Sequence, residues 1–179
     1  MDHLLLTGYP GCGKTTVVCR VAELLSTLQP VGFYTREMRD GGTRLGFTLT
    51  TLDGAECIMA RKGLKSKYRV GKYGVDVGAV DRVAADVRSK LASSPALVII
   101  DEIGKMECFS KEFRSLVLEV LDSSAFLLAT VAARGNKFIE YIKSLPKVRV
   151  IEVSTKNRDD LPQKLAAEIR AGIQTERTR

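Results

Sequence analysis

Short apolar runs alternate with stretches of helical period along this 179-residue chain. Residues 3–7 carry Leu4-Leu5-Leu6 and predict a buried strand, followed by a glycine-rich turn at 8–14. From 15 to about 27, Val17, Val18, Val21, Leu24, Leu25 and Leu28 recur at helical spacing. The pattern then changes. Residues 31–39 and 43–51 are rich in β-formers and flank Asp40-Gly41-Gly42, a hairpin signal. Asp53-Gly54 marks a second turn into a strand at 55–61, and 62–74 reads as loop or short strand. The alternation resumes with a helix at 78–92 and a continuous apolar strand at 96–100. Ser110 caps a helix that runs to about Leu121; a strand at 126–131, a helix at 137–144 and a strand at 148–153 follow. A last helix starts near 160 with Pro162 in its first turn, where its missing N–H costs little.

This order predicts an α/β fold in three layers, a mostly parallel sheet covered by helices on both faces. An antiparallel excursion at about 31–61 interrupts it. No repeat, low-complexity tract or linker is visible, so residues 1–179 read as a single domain.

Composition narrows the chemistry. The chain is 45% hydrophobic and 27% charged, without an apolar run of the roughly 20 residues that spans a bilayer. Its start lacks a cationic stretch and a small-residue cleavage site, so a cytoplasmic protein with no membrane partner is expected. Cys12, Cys19, Cys57 and Cys108 have no metal-ligand spacing and read as reduced, mostly buried thiols. His3 is the single histidine, which excludes a histidine-based triad or zinc site and points to a structural role. The net charge of +7 suits anionic partners, and the only basic tail is the short end from Arg170 to Arg179. Elsewhere the charges are interspersed, as on a solvated surface with a few phosphate-binding cations.

The segment Gly8-Tyr9-Pro10-Gly11-Cys12-Gly13-Lys14-Thr15 fits the G-x-x-x-x-G-K-[ST] pattern at every fixed position and lies between a strand and a helix. Glycines let the backbone wrap a phosphate with its N–H groups inward, and the helix adds the positive end of its dipole. Lys14 supplies a charge to the β- and γ-phosphates; the Thr15 hydroxyl is placed to ligate Mg²⁺, and Thr16 continues the binding segment. Cys12 occupies a variable position and reads as a spectator rather than a redox sensor. At the end of the apolar strand stand Asp101, a Walker-B carboxylate for Mg²⁺, and Glu102, placed to orient and deprotonate the attacking water. A carboxylate poised on water works against a kinase and favours hydrolysis. Thr130 and Arg134 read equally as γ-phosphate contacts or as a strand-end hydroxyl and a solvated arginine. No N/T-K-x-D guanine signature is present; Asn157 and Arg158, within Thr155-Lys156-Asn157-Arg158-Asp159, are candidates for loose contacts to any base.

Five separated blocks carry a resemblance to the small P-loop nucleoside-triphosphatase family first known from thermophiles. They are the P-loop; Gly32-Phe33-Tyr34-Thr35 with Glu37, Arg39, Gly42, Arg44, Gly46 and Phe47; Arg69-Val70-Gly71-Lys72-Tyr73; Asp101-Glu102-Ile103-Gly104-Lys105-Met106-Glu107; and Asn157-Arg158-Asp159. The resemblance implies a RecA-like domain and slow, Mg²⁺-dependent hydrolysis of several triphosphates (ATP, GTP, CTP and UTP) to NDP and phosphate. It further implies that Ile103, Gly104, Lys105 and Glu107 line the nucleotide site. The alanines in Thr130-Val131-Ala132-Ala133-Arg134 depart from the polar run of relatives and leave the role of Arg134 open. Arg36, Arg39, Arg44, Arg69 and Lys72 close over the triphosphate, bind a second substrate or RNA, or form a solvated face. A nucleotide or small-molecule kinase and a nucleic-acid-dependent ATPase stay as alternatives; nucleic acid is not favoured, since no RNA-binding signature is present. A monomer is expected.

Overall fold

Leu4 and Leu6 point to one side of the first strand and Leu5 to the other, and all three are fully buried. That alternation sets two cores, one on each face of a central sheet. In the computed structural model, which describes residues 2–177, a nine-stranded sheet has the order β5-β6-β4-β3-β2-β7-β8-β1-β9. The last two residues of the basic end at 170–179 lie outside the described residues, as does Met1. The strands are β1 (His3–Thr7), β2 (Val31–Asp40), β3 (Thr43–Thr51), β4 (Glu56–Lys62), β5 (Arg69–Val70), β6 (Tyr73–Val75), β7 (Leu97–Ile103), β8 (Phe126–Val131) and β9 (Val148–Glu152). The helices are α1 (Lys14–Leu24), α2 (Val77–Leu91), α3 (Lys111–Asp122), α4 (Lys137–Lys143) and α5 (Leu161–Arg177).

Helices α1 and α5 pack Val17, Val18, Val21, Leu165 and Ile169 on Leu4, Leu6, Ile99 and Leu128. On the other face α2, α3 and α4 pack Val83, Val87, Phe113, Val117, Ile139 and Ile142 on Leu5, Val98, Ile100 and Leu127. Each helix buries one stripe of helical period, so the α/β architecture with three layers follows from the apolar pattern. Among the described residues no helix is long and apolar enough to cross a membrane.

The antiparallel part is larger than 31–61. Residues 62–74 contain two short strands, β5 and β6, which extend it to Val75. Nor is β2 a mere excursion. Its first residues, Val31 to Tyr34, pair in parallel with Val98 to Asp101 of β7, while Phe33 to Asp40 pair antiparallel with β3. Beyond Tyr34 the β2–β3 hairpin therefore continues past the pairing with β7. Two further boundaries differ from the pattern. Helix α1 stops at Leu24 and passes into a 3-10 turn at Ser26–Leu28. Strand β7 continues to Ile103, with its pairing to β8 interrupted between Ile100 and Ile103, so Asp101 and Glu102 sit in the irregularity.

His3 is structural: the Leu127 N–H donates to its Nδ1 at 3.1 Å, which leaves Nε2 to donate to the Leu121 carbonyl at 3.1 Å. Of the four free thiols only Cys108 is buried; Cys12, Cys19 and Cys57 are half-buried, which corrects the expectation of mostly buried thiols.

Candidate active site

Three helices begin with a side-chain cap. Asp76 accepts from the Ala79 N–H at 3.1 Å, Ser110 from Phe113 at 2.8 Å and Asn136 from Ile139 at 3.0 Å. Helix α1 does not. Its N-cap is Gly13, in the left-handed region at φ 108°, with no side-chain cap and no acidic residue in the first turn. The first N–H groups of α1 thus stay available to an anion at the positive end of the helix dipole. Gly8 is equally constrained: a Cβ there would stand 2.5 Å from the Val153 carbonyl. The Lys14 ammonium folds over this loop and donates to the carbonyls of Gly8 (3.1 Å) and Tyr9 (3.3 Å).

A cavity of about 760 Å³ opens above the loop. Pro10, Gly11, Gly13, Lys14, Thr15 and Thr16 form one wall and Asp101 and Glu102 the floor beside it. Gly8, Tyr9 and Cys12 belong to the loop without lining the cavity: Gly8 is buried, Tyr9 is 78% exposed and Cys12 packs against the α1–α5 core. Ile103, Gly104 and Lys105 do not line it either. Ile103 is fully buried in the core of α2 and α3, Gly104 is buried and Lys105 is exposed. The chain turns away after Glu102 into a 3-10 turn at Glu107–Phe109, which also buries Glu107.

Asp101 is 2% exposed and is held from three sides. Thr130 Oγ1 donates to its carboxylate at 2.5 Å, Thr35 Oγ1 donates to its carbonyl at 2.8 Å, and the Thr15 hydroxyl hydrogen-bonds its carboxylate. Burial pushes this carboxyl above its ordinary range, while the hydrogen bonds from Thr130 and Thr15 and the charge of Lys14 pull it back. The peptide joining Asp101 to Glu102 is cis. Glu102 is also raised, by burial first and then by the Asp101 charge, with Lys14 opposing. Strand β8 lies between β1 and β7, which is why Thr130 reaches Asp101. Arg134 is exposed and lies outside the cavity lining.

The opposite wall comes from the β2–β3 hairpin: Thr35, Arg36, Glu37, Arg39, Arg44 and Phe47. Glu37 pairs with both Arg39, at 2.5 Å, and Arg44. Arg39 also donates to the Gly42 carbonyl at 3.0 Å, and Arg44 lies over the Phe47 ring. Arg36 stacks on Tyr34 at 4.7 Å. Arg69, on β5, and Lys72, in the turn between β5 and β6, do not reach the cavity. Thr35, Glu37 and Phe47 were not singled out for chemistry by residue type; their one sequence signal is membership of a block that carries the family resemblance.

A second cavity of about 250 Å³ shares Gly13 and Thr16 with the first and is completed by Arg158 and Asp159. Asn157 is absent from it. Its amide is committed to its own turn, accepting from the Ser154 N–H at 2.9 Å and donating to the Glu152 carbonyl at 2.8 Å.

Comparison with known proteins matches this arrangement. The NTPase family model covers residues 3–166. The chain is 42% identical over 158 residues to "Nucleoside-triphosphatase THEP1" of Thermotoga sp. (strain RQ2), covering 88% of this chain and 90% of that protein. It is 38% identical over 174 residues to the human "Cancer-related nucleoside-triphosphatase", covering 89% and 92%. The crystal structure of THEP1 from Aquifex aeolicus superposes with a TM-score of 0.84 at 34% identity, covering 93% of this chain and 98% of that one. The chain belongs to the NTPase family of small P-loop nucleoside-triphosphatases.

Proposed function

We propose that the protein hydrolyses nucleoside 5′-triphosphates to the diphosphate and phosphate, with Mg²⁺, slow turnover and little regard for the base. The observation that carries this reading is Glu102, a carboxylate raised above its usual range, lining the same cavity as Lys14, Thr15 and Asp101. The relatives' names support the reaction class.

The triphosphate lies along the P-loop, its phosphates on the free N–H groups of α1 and on Lys14, which exchanges its two carbonyl partners for phosphate oxygens. Glu102 orients a water against the γ-phosphorus and takes its proton as the new P–O bond forms; the bond to the β–γ bridging oxygen breaks and its electrons leave with the diphosphate. A raised pKa makes Glu102 a stronger base than an ordinary carboxylate.

The donor set fits Mg²⁺: a hydroxyl and a buried carboxylate, hard oxygens already in contact between Thr15 and Asp101. Among the described residues no group of three or more His, Cys, Asp or Glu gathers to hold a metal by itself, which accords with a cation that arrives on the triphosphate. Thr15 and Asp101 would hold the ion, which would supply charge neutralisation for the triphosphate.

The smaller cavity supports the reading of base tolerance. With Asn157 tied to its turn, the side chains left there are Thr16, Arg158 and Asp159, and the Arg158 guanidinium offers a flat stacking surface that any base satisfies. Slow turnover fits a hairpin wall in which Glu37 already occupies Arg39 and Arg44. Phosphate release measured with Mg²⁺ and each of ATP, GTP, CTP and UTP, without an acceptor, tests the reading. Release from all four, within about tenfold of one another in kcat/KM, is expected; turnover only after an acceptor is added would sink it.

A further inference from the structure

We propose that Glu107 is a positioning residue for Glu102, a buried acid set behind the general base across the space that Gly104 leaves open. The inference rests on the reading of Glu102 as the base.

Place comes first. Glu107 opens the 3-10 turn after β7 and is 4% exposed. The turn is fixed by Cys108 N–H to the Gly104 carbonyl at 3.1 Å, by Ser110 N–H to the Glu107 carbonyl at 3.0 Å, and by Arg114, which donates to the Cys108 carbonyl. Its side chain therefore stays inside. Facing it is Glu102. The point where a Cβ would stand on Gly104 is 2.7 Å from Glu107 Oε2 and 3.3 Å from Glu102 Oε1. Both carboxyls thus converge on one spot, and a single methyl group there displaces Glu107.

Charge decides what form Glu107 takes. A carboxyl buried without a cation keeps its proton unless something offsets the lost hydration. The charged groups bearing on Glu107 are Glu102 and Asp101, both on β7 and both negative. Beside it in the turn is the Cys108 thiol, itself pushed up to about 11 and so neutral. The N–H groups of Glu107 and Gly104 pull the other way without prevailing: burial first, then Glu102, raise Glu107 to about 8. At neutral pH it is an acid with an O–H to give, and the nearest carboxylate across Gly104 is Glu102. That O–H holds one Glu102 oxygen and leaves the other for the attacking water. An ionised Glu107 would instead repel the base it orients.

Three variants test this: Glu107→Gln, Glu107→Leu and Gly104→Ala, each read by kcat and KM for MgATP across pH 6 to 9.5. Glu107→Gln keeps an N–H donor without an ionisable group, so it retains kcat within about threefold at pH 7 and lacks the alkaline fall expected of the wild type above about pH 8. Glu107→Leu and Gly104→Ala lower kcat by about 10- to 100-fold with KM unchanged, the scale of a misplaced catalytic group. Wild-type kcat in Glu107→Leu, or an unchanged alkaline limb in Glu107→Gln, overturns the proposal; if Glu107→Leu fails to fold, the Glu107→Gln profile decides alone. Glu102→Gln, run alongside, separates the two readings. Unimpaired hydrolysis in that protein removes the base, whereas an inactive Glu102→Gln beside wild-type Glu107 variants removes only the positioning role.

Discussion

The cavity above the P-loop has two walls made in opposite ways. The P-loop wall is backbone: glycines at special conformations, an uncapped helix start, and one lysine folded on its own carbonyls. The hairpin wall is side chain: three arginines, a glutamate that binds two of them, and an aromatic ring. Backbone donors are held in place by the fold and cannot be neutralised by a neighbour, so they suit a fixed anion site. Arginine charges are adjustable, because the same Glu37 that orders Arg39 and Arg44 also offsets them. On the proposed reading, one wall binds and the other is placed to tune.

Lys14→Ala strikes the first wall and has the largest expected effect: turnover is abolished and MgNTP affinity falls, measured by phosphate release and calorimetric titration. Retained turnover would show that the loop backbone suffices alone. Glu102→Gln comes next. Hydrolysis drops by about 100-fold or more, the size of a lost general base, while equilibrium titration still finds the nucleotide bound. Equal loss of binding would mean that Glu102 shapes the site rather than the reaction.

The hairpin wall is probed by replacing Arg39 and Arg44 together with alanine. KM for MgATP rises by about tenfold, the weight of one or two charge-assisted contacts, and kcat changes less. An unchanged KM at low ionic strength would reduce this wall to a solvated face. The smallest effect is on stability. Glu107 is raised in the folded protein, so its contribution worsens as pH climbs from the ordinary carboxylate range through about 8. Glu107→Gln should therefore gain in melting temperature relative to wild type between pH 5 and pH 9, with the gap closing at pH 4; a pH-independent gap contradicts the buried proton.

The two walls also differ in how far they could be read from residues. The P-loop was legible because a strand, a glycine pattern, a lysine and a helix are contiguous, and the turn they make is local. Asp101 and Glu102 were legible only in combination: two acids ending an apolar run are a weak signal alone, and the P-loop upstream gave them their reading. The placement of Thr130 on Asp101 was not, since it depends on β8 lying between β1 and β7. Ile103, Gly104 and Lys105 follow Glu102 in the chain, yet strand alternation and the 3-10 turn carry them off the cavity. Asn157 looked free for a base, but its amide is used by its own turn.

By itself, the sequence determined the three layers, the hairpin and the phosphate loop, because those depend on apolar period, turn residues and neighbours within a few positions. Only the tertiary structure decided that β2 is shared between a parallel and an antiparallel pairing and so lifts Arg36, Arg39 and Arg44 across from the P-loop. It alone decided that Glu107 faces Glu102 across Gly104. Register between distant strands and the burial of a charge are properties of the assembled core, and no local pattern encodes them.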